Sequence, residues 1–212
     1  MEEILLENMN PVPQPNKPER KYNKSQQAFL ESRDILVILI VFMLLYILFF
    51  RVVIVVGDSM FDTLAQGDYL LLTSSILYRS PEAGDIVVIS KDSFRGGECF
   101  VKRVIATEGQ SVDIDFATGD VFVNGVLLEE DYIHTPTMLD EGVNFPLTVE
   151  KGCVFVMGDN RMNSRDSRSP EIGQVDCREI LGKAIFLLFP GTGSDDNPME
   201  FNFRRIGVIR HG

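Results

Sequence analysis

The sequence predicts a mostly β protein: an antiparallel sheet or barrel domain carried on one N-terminal membrane-spanning helix. Three observations predict it. Residues 35–50, ILVILIVFMLLYILFF, run uninterrupted without a charge. Downstream of residue 56 the chain breaks into short runs of β-branched and aromatic residues, punctuated by Gly-Asp, Asn-Gly and Pro. No GxGxxG, no Walker loop and no second long amphipathic helix pattern follows them.

Residues 1–34 are polar and rich in proline, and such a tail has too little apolar surface to fold alone. The apolar run comes next. At 1.5 Å per residue a bilayer core needs ~20 apolar residues, so the span is expected over residues 35–54, with Arg51 snorkelling to the interface. A soluble core helix would keep a polar face, which this run lacks. A cleaved leader would lie nearer the start of the chain and be followed by a small-residue cleavage site, which is absent. Lys17, Arg20, Lys21, Lys24 and Arg33 precede the run, whereas only Arg51 follows before Arg79. The positive-inside rule therefore leaves the N-terminus in the cytoplasm and residues 55–212 outside. GDYLLLTSSIL, GDIVVIS, ECFVKRVIATEG, QSVDIDFATGDVFVNGVLL, CVFVMGD and GKAIFLLF then read as strands, and DFATGDVFVNGV as a hairpin.

Composition narrows the function. The net charge is −11; the tail carries five basic and six acidic residues, so the exported part carries −10. Such a surface is a poor match for nucleic acid, which needs clustered Lys and Arg. Three cysteines, Cys99, Cys153 and Cys177, are too few and odd in number for a disulfide framework, no Cys-x-x-Cys or Cys/His spacing suggests zinc, and they are expected to stay unpaired. With only His134 and His211 present, histidine is scarce as a catalytic base. No metal or other cofactor is implied.

Three stretches carry chemistry. In VVIVVGDSMFDTL, Ser59 falls at the exit of an apolar run, in a Gly-Asp-Ser turn that exposes a hydroxyl and frees backbone N–H groups for an oxyanion. Serine is also a common turn residue, so Ser59 needs a base to mean more. In CFVKRVIA, Lys102 is embedded among Phe100, Val101, Val104 and Ile105. Burial disfavours an ammonium ion, and a lysine base near neutrality must fall by about 3 units from ~10.4, roughly 4 kcal/mol of differential solvation. The plain alternative is a lysine on the polar face of an alternating strand. In MGDNRMNSRDSRSPEIG, dense polar residues follow a strand. They make either a surface loop or a supporting shell, with Asp166 paired to Arg168 or Arg103 and Ser164 bonded to Lys102.

These pieces, in this order, resemble the bacterial type I signal peptidases, or leader peptidases. The motifs are GDSMFDTL, GDYLLL, GDIVVI, FVKRVIA, VFVNGVLLEEDYI and GDNRMNSRDSR, covering residue 57 to about residue 190. The resemblance implies hydrolysis of signal peptides on exported preproteins by a Ser–Lys dyad, with no cofactor. Ser59 would be the nucleophile, Lys102 the general base and Ser164 the group orienting the amine. Asp166, Arg168 and Arg103 would support them, and the Ser59 backbone N–H would bind the oxyanion. Shallow pockets for small residues at −1 and −3 would be formed by Met60, Leu64, Val53, Val55, Val56, Phe100 and Val101. The partners implied are preprotein signal peptides and membrane lipid, with the catalytic domain outside the cell membrane.

Two departures stand out: Asp62 replaces the usual proline, and IATEGQ replaces a Gly-Leu-Pro-Gly-Asp pattern. The inserted domain of some members is reduced to a small cap around residues 108–150, as in Gram-positive members. Two other readings remain: a soluble self-cleaving Ser–Lys protease of the repressor type, against which the span counts, and a catalytically impaired anchored β domain that assists assembly of surface proteins.

Overall fold

The computed structural model describes residues 23–91, 94, 98–196 and 198–209. The tail expected over residues 1–34 is therefore described only from residue 23, and His211 lies outside the described residues. The chain divides between Leu44 and Leu45 into an N-terminal unit and a β unit.

Helix α1, Lys24–Phe49, has no buried residue, and its apolar side chains from Ile35 to Leu48 are exposed all round. Its 26 residues reach about 39 Å at 1.5 Å each, which is long and apolar enough to cross a bilayer core of ~30 Å. The span was expected to continue to residue 54. Instead the helix stops at Phe49 and starts earlier, and Phe50–Ile54 forms strand β1. The physical reason is a β-branched run, Val52, Val53 and Ile54, with a partner strand ready to pair with it.

That partner is β2, Tyr69–Ser74, antiparallel to β1 with Val53 opposite Leu70. The main sheet continues through β3 (Ile86–Ser90), β4 (Cys99–Thr107), β9 (Cys153–Met157), β10 (Val175–Asp176) and β11 (Ile180–Phe189), in the order β1-β2-β11-β3-β4-β9-β10. The short β12, Gly207–Val208, adds to β11. Each expected strand run is found. A second antiparallel sheet, ordered β7-β6-β5-β8, is made by β5 (Ser111–Asp115), β6 (Asp120–Val123), β7 (Val126–Leu127) and β8 (Leu147–Thr148). Between β6 and β7, Asn124 (φ 52°) and Gly125 (φ 76°) both take the left-handed backbone of a tight hairpin turn, which explains the Asn-Gly pair.

Three apolar cores result. One packs Met60, Leu64, Leu70, Leu72, Ile86 and Val88; a second packs Val87, Ile89, Val104, Val156 and Ile180; a third joins Ile105 and Phe155 to Val112 and Val121 of the smaller sheet. Strand β3 lends alternate residues to the first two, as period-2 geometry requires when both faces are covered. This fixes β4, which pairs β3 on one side and β9 on the other.

Candidate active site

Ser59 sits in the turn that follows β1. Gly57 opens the turn at φ 83°, where a side chain would be strained. Met60 and Leu64, each 1% exposed, pin it to the core. Hydrogen bonds close it, from Phe61 N to Asp58 O at 3.1 Å and from Leu64 N to Met60 O at 2.8 Å. The loop after β9 grips it from outside: Asn160 N donates to Ser59 O at 3.0 Å, and Asn160 Nδ2 donates to Asp58 O at 3.2 Å. Asp58 also accepts a short hydrogen bond from Ser194, and Gly57 N donates to Gln66 Oε1 at 3.2 Å.

Lys102 is 3% exposed on β4. Its Nζ lies 2.7 Å from Ser59 Oγ and donates to Val101 O at 3.0 Å. Burial is the main influence on its amine and lowers its pKa from 10.5 to about 8; the negative charges of Asp166 and Asp159 oppose that fall. Two groups 43 residues apart in sequence are thus brought to hydrogen-bonding distance because β4 is central in the sheet and the serine turn folds back on it.

The loop after β9 resolves the open pairing. Asp166 belongs to Arg168: Arg168 Nε donates to Asp166 Oδ1 at 2.8 Å and Nη2 to Oδ2 at 2.9 Å, both side chains fully buried. Burial would raise the Asp166 carboxyl, but these hydrogen bonds and the guanidinium charge hold it below the usual carboxylate range. Arg103 does not join that pair. It forks onto Asp159, at 2.9 and 2.8 Å, and stacks on the Tyr132 ring. Ser164 donates to Asp166 Oδ2 at 2.8 Å rather than to Lys102, whose partners are Ser59 and Val101. Gly158 N–H also donates to Asp166 Oδ2, at 3.0 Å. A Cβ on Gly158 would meet Ser164 Oγ at 2.2 Å and Ser59 O at 2.4 Å, so only glycine lets the loop lie against the serine turn.

A cleft of about 450 Å³ opens over these groups, lined among others by Val56, Ser59, Phe100, Lys102, Glu141 and Ser164. Of the pocket residues expected from the sequence, Val56 and Phe100 line it. Met60, Leu64 and Val55 are core residues, with Val53 and Val101 packed against that core. Several neighbours carried no sequence signal of their own. Asp159 and Asn160 were visible only as part of a polar run. Arg161, fully buried, forms a short ion pair with Glu130 and donates to Thr137 Oγ1 at 2.5 Å, tying the 130–137 segment to the loop. Asp62, the residue that replaces proline, reaches His134 Nδ1 at 3.1 Å and is absent from the cleft lining. Cys99, Cys153 and Cys177 are free thiols. Among the described residues no group of three or more His, Cys, Asp or Glu is placed to hold a metal ion.

An antiparallel domain with a serine against a buried lysine defines a class that the comparisons then name. Residues 29–189 match the family described as signal peptidase, peptidase S26. The chain is 39% identical over 144 residues to the probable signal peptidase I-1 of Synechocystis sp. (strain ATCC 27184 / PCC 6803 / Kazusa), covering 64% of this chain and 69% of that protein. It is 33% identical over 181 residues to signal peptidase I T of Bacillus subtilis (strain 168), covering 81% and 91%. A solved signal peptidase I from Enterococcus faecalis V583 is 30% identical and covers 50% of this chain and 97% of its own, with a TM-score of 0.40. The chain belongs to the signal peptidase family, peptidase S26, a family of serine proteases.

Proposed function

We propose that this protein is a membrane-anchored endopeptidase that removes signal peptides from exported preproteins, after small residues at −1 and −3, through Ser59 and Lys102. The observation that carries the reading is the 2.7 Å contact between Ser59 Oγ and the Nζ of a lysine whose burial lowers its pKa to about 8. A base of that strength is neutral in an appreciable fraction of molecules near neutral pH, and it is already placed on the proton it must take.

The steps follow from that geometry. Neutral Lys102 takes the Ser59 proton as Oγ attacks the carbonyl after the −1 residue. The negative oxygen that forms is received by the Ser59 backbone N–H, which has no acceptor among the described residues. The lysine, now an ammonium, protonates the leaving amine as the C–N bond breaks. Water, activated by the same amine, then attacks the acyl-enzyme ester and frees Ser59. Asp166 and Arg168 act at one remove. They hold Ser164 and Gly158 N–H, and hence the loop against which the serine turn is seated.

Anchoring gives the site its address. Ser59 follows ten residues after the end of α1 at Phe49, so an N-in helix would deliver it to the outer membrane surface, where a signal peptide's cleavage site emerges. Co-anchoring of enzyme and substrate raises their effective concentration. The small −1 and −3 preference would come from a cleft edged by Val56 and Phe100, which bulky side chains cannot enter without a steric clash. The impaired-scaffold alternative drew on Asp62 and the ATEGQ segment. Asp62 bonds to His134 and neither displaces nor contacts the serine–lysine pair.

The test is cleavage of a preprotein bearing Ala-X-Ala by the full chain in detergent. Wild type is expected to cut after the second alanine, and Ser59→Ala and Lys102→Met to be inactive though folded. Folded wild type that leaves this substrate intact would refute the general signal-peptidase reading.

A further inference from the structure

Glu141 shares the cleft with Ser59 and Lys102. The residues that flank it are held by Arg168: Arg168 Nη1 donates to Leu139 O at 3.2 Å, and Val143 N donates to Arg168 O at 3.1 Å. The two bonds tie the 139–143 segment to the side chain and the backbone of the arginine that already holds Asp166. The carboxylate oxygen Glu141 Oε2 is buried and has no hydrogen-bond partner. A buried polar atom without a partner is costly and asks for a reason.

The other charges around the site are spoken for. Lys102 feels Asp166, Asp159, Arg168 and Glu141. Asp166 is bonded to Arg168, and Asp159 to Arg103. Arg165, the other cation near Glu141, reaches Glu171 at 3.2 Å. Asp58 and Glu98 complete the charged lining of the cleft, and Asp58 is bonded to Ser194. Among the described residues Glu141 has no ion pair of its own; the Asp166 backbone N–H donates to its carboxylate, and the Arg168 and Arg165 charges act on it from a distance.

We propose that Glu141, on a segment held over the site by Arg168, is a positioning residue that adds to the proton affinity of Lys102 and thereby raises the pH at which the enzyme becomes active. The inference rests on the Ser59–Lys102 reading. A carboxylate beside an amine favours the ammonium form and so works against burial. Burial, with Asp166 close by, raises the Glu141 carboxyl above its ordinary value, which is how a carboxylate held in a partly dry cleft behaves.

The experiment is the pH profile of kcat/KM for the full chain in detergent, from about pH 6 to pH 10, for wild type, Glu141→Gln, Glu141→Ser and Glu141→Asp. Removing the charge is expected to move the acid limb down by about 0.5 to 1 pH unit, the scale of one nearby charge in a partly shielded site. At pH 7 the neutral variants would then run about 3- to 5-fold closer to their own alkaline plateau than wild type does. Glu141→Asp should keep the wild-type limb. Glu141→Ser duplicates the charge removal should the glutamine variant fail to fold. A limb left in place, with only the plateau lowered, would show a structural role and overturn the proposal. A wild-type profile without a limb near pH 8, or an active Lys102→Met, would overturn the dyad reading and this inference with it. The first result fells Glu141 alone, so the two failures are distinguishable.

Discussion

Replacing Lys102 by methionine should abolish cleavage and yet stabilise the protein at neutral pH, and the second effect should change sign with pH. Lys102 is held at about 8 against 10.5 in an exposed chain. The folded state therefore gives up this proton more readily than the unfolded state. Between about pH 8 and pH 10.5 the unfolded chain binds more protons, so stability rises with pH across that window, while below it the full penalty stands. That penalty is about 3 kcal/mol at pH 7 and falls to about 1 kcal/mol at pH 10.

Against it, the lysine makes two hydrogen bonds, to Ser59 Oγ at 2.7 Å and to Val101 O at 3.0 Å, each contributing about 1 kcal/mol. Methionine fills a similar volume and forfeits both. The variant should thus gain about 1 kcal/mol at pH 7 and lose about 1 kcal/mol at pH 10. In a chain of this size that is a rise and then a fall of about 2–4 °C in Tm. Thermal unfolding of both proteins in the same detergent, at pH 7 and pH 10, reads it directly. A Tm difference that does not depend on pH would mean that Lys102 titrates as an exposed lysine, and the dyad would lose its base.

Three further outcomes follow from the same geometry. Gly158→Ala places a Cβ at 2.2 Å from Ser164 Oγ and 2.4 Å from the backbone carbonyl of Ser59; the serine turn must shift by about 1 Å, and kcat should fall by about 100-fold in steady-state cleavage assays, against which an unchanged kcat would count. Asp166→Asn leaves Arg168 buried against a neutral amide and should cost about 3–5 kcal/mol in denaturant unfolding; because the Asp166 carboxyl is held low by Arg168, its contribution is present above the ordinary aspartate range and disappears as pH falls through the lowered value, so the gap between wild type and variant should narrow in acid. His134→Ala breaks the 3.1 Å contact to Asp62, but both side chains are well exposed, so stability should change by less than about 1 kcal/mol and cleavage should persist; an inactive, folded His134→Ala would show that this contact matters to the serine turn.

Strand content was legible because alternation and turn residues act locally. Val87 and Ile89 face one core while Ile86 and Val88 face another, and a run apolar on both faces announces a buried strand. Ser59 and Lys102 were legible for a different reason: a hydroxyl at a strand exit and a lysine inside an apolar strand are each out of place, and the ordered motifs joined them. The end of α1 at Phe49 was not legible because most of residues 50–54 are as apolar as the helix, and pairing such as that of Val53 with Leu70 makes them a strand. Which apolar residues line the cleft was not legible, because an apolar side chain near a turn reads alike whether it lines a cleft, as Val56 does, or fills a core, as Met60 does.

By itself the sequence determined the class of fold and the helix able to cross a membrane, and it singled out Ser59 and Lys102, which the structure places in contact, since each is written in a local pattern of polarity. Tertiary structure alone decided the partners. Asp166 takes Arg168 while Asp159 takes Arg103 across 56 residues of sequence, and the segment that carries Glu141 is held by the bonds of its neighbours Leu139 and Val143 to Arg168. Charges are free to choose among many counter-ions in a linear chain. The choice is made when strand register and loop closure bring one guanidinium within reach of one carboxylate and bury both, because an unpaired buried charge is too costly to keep.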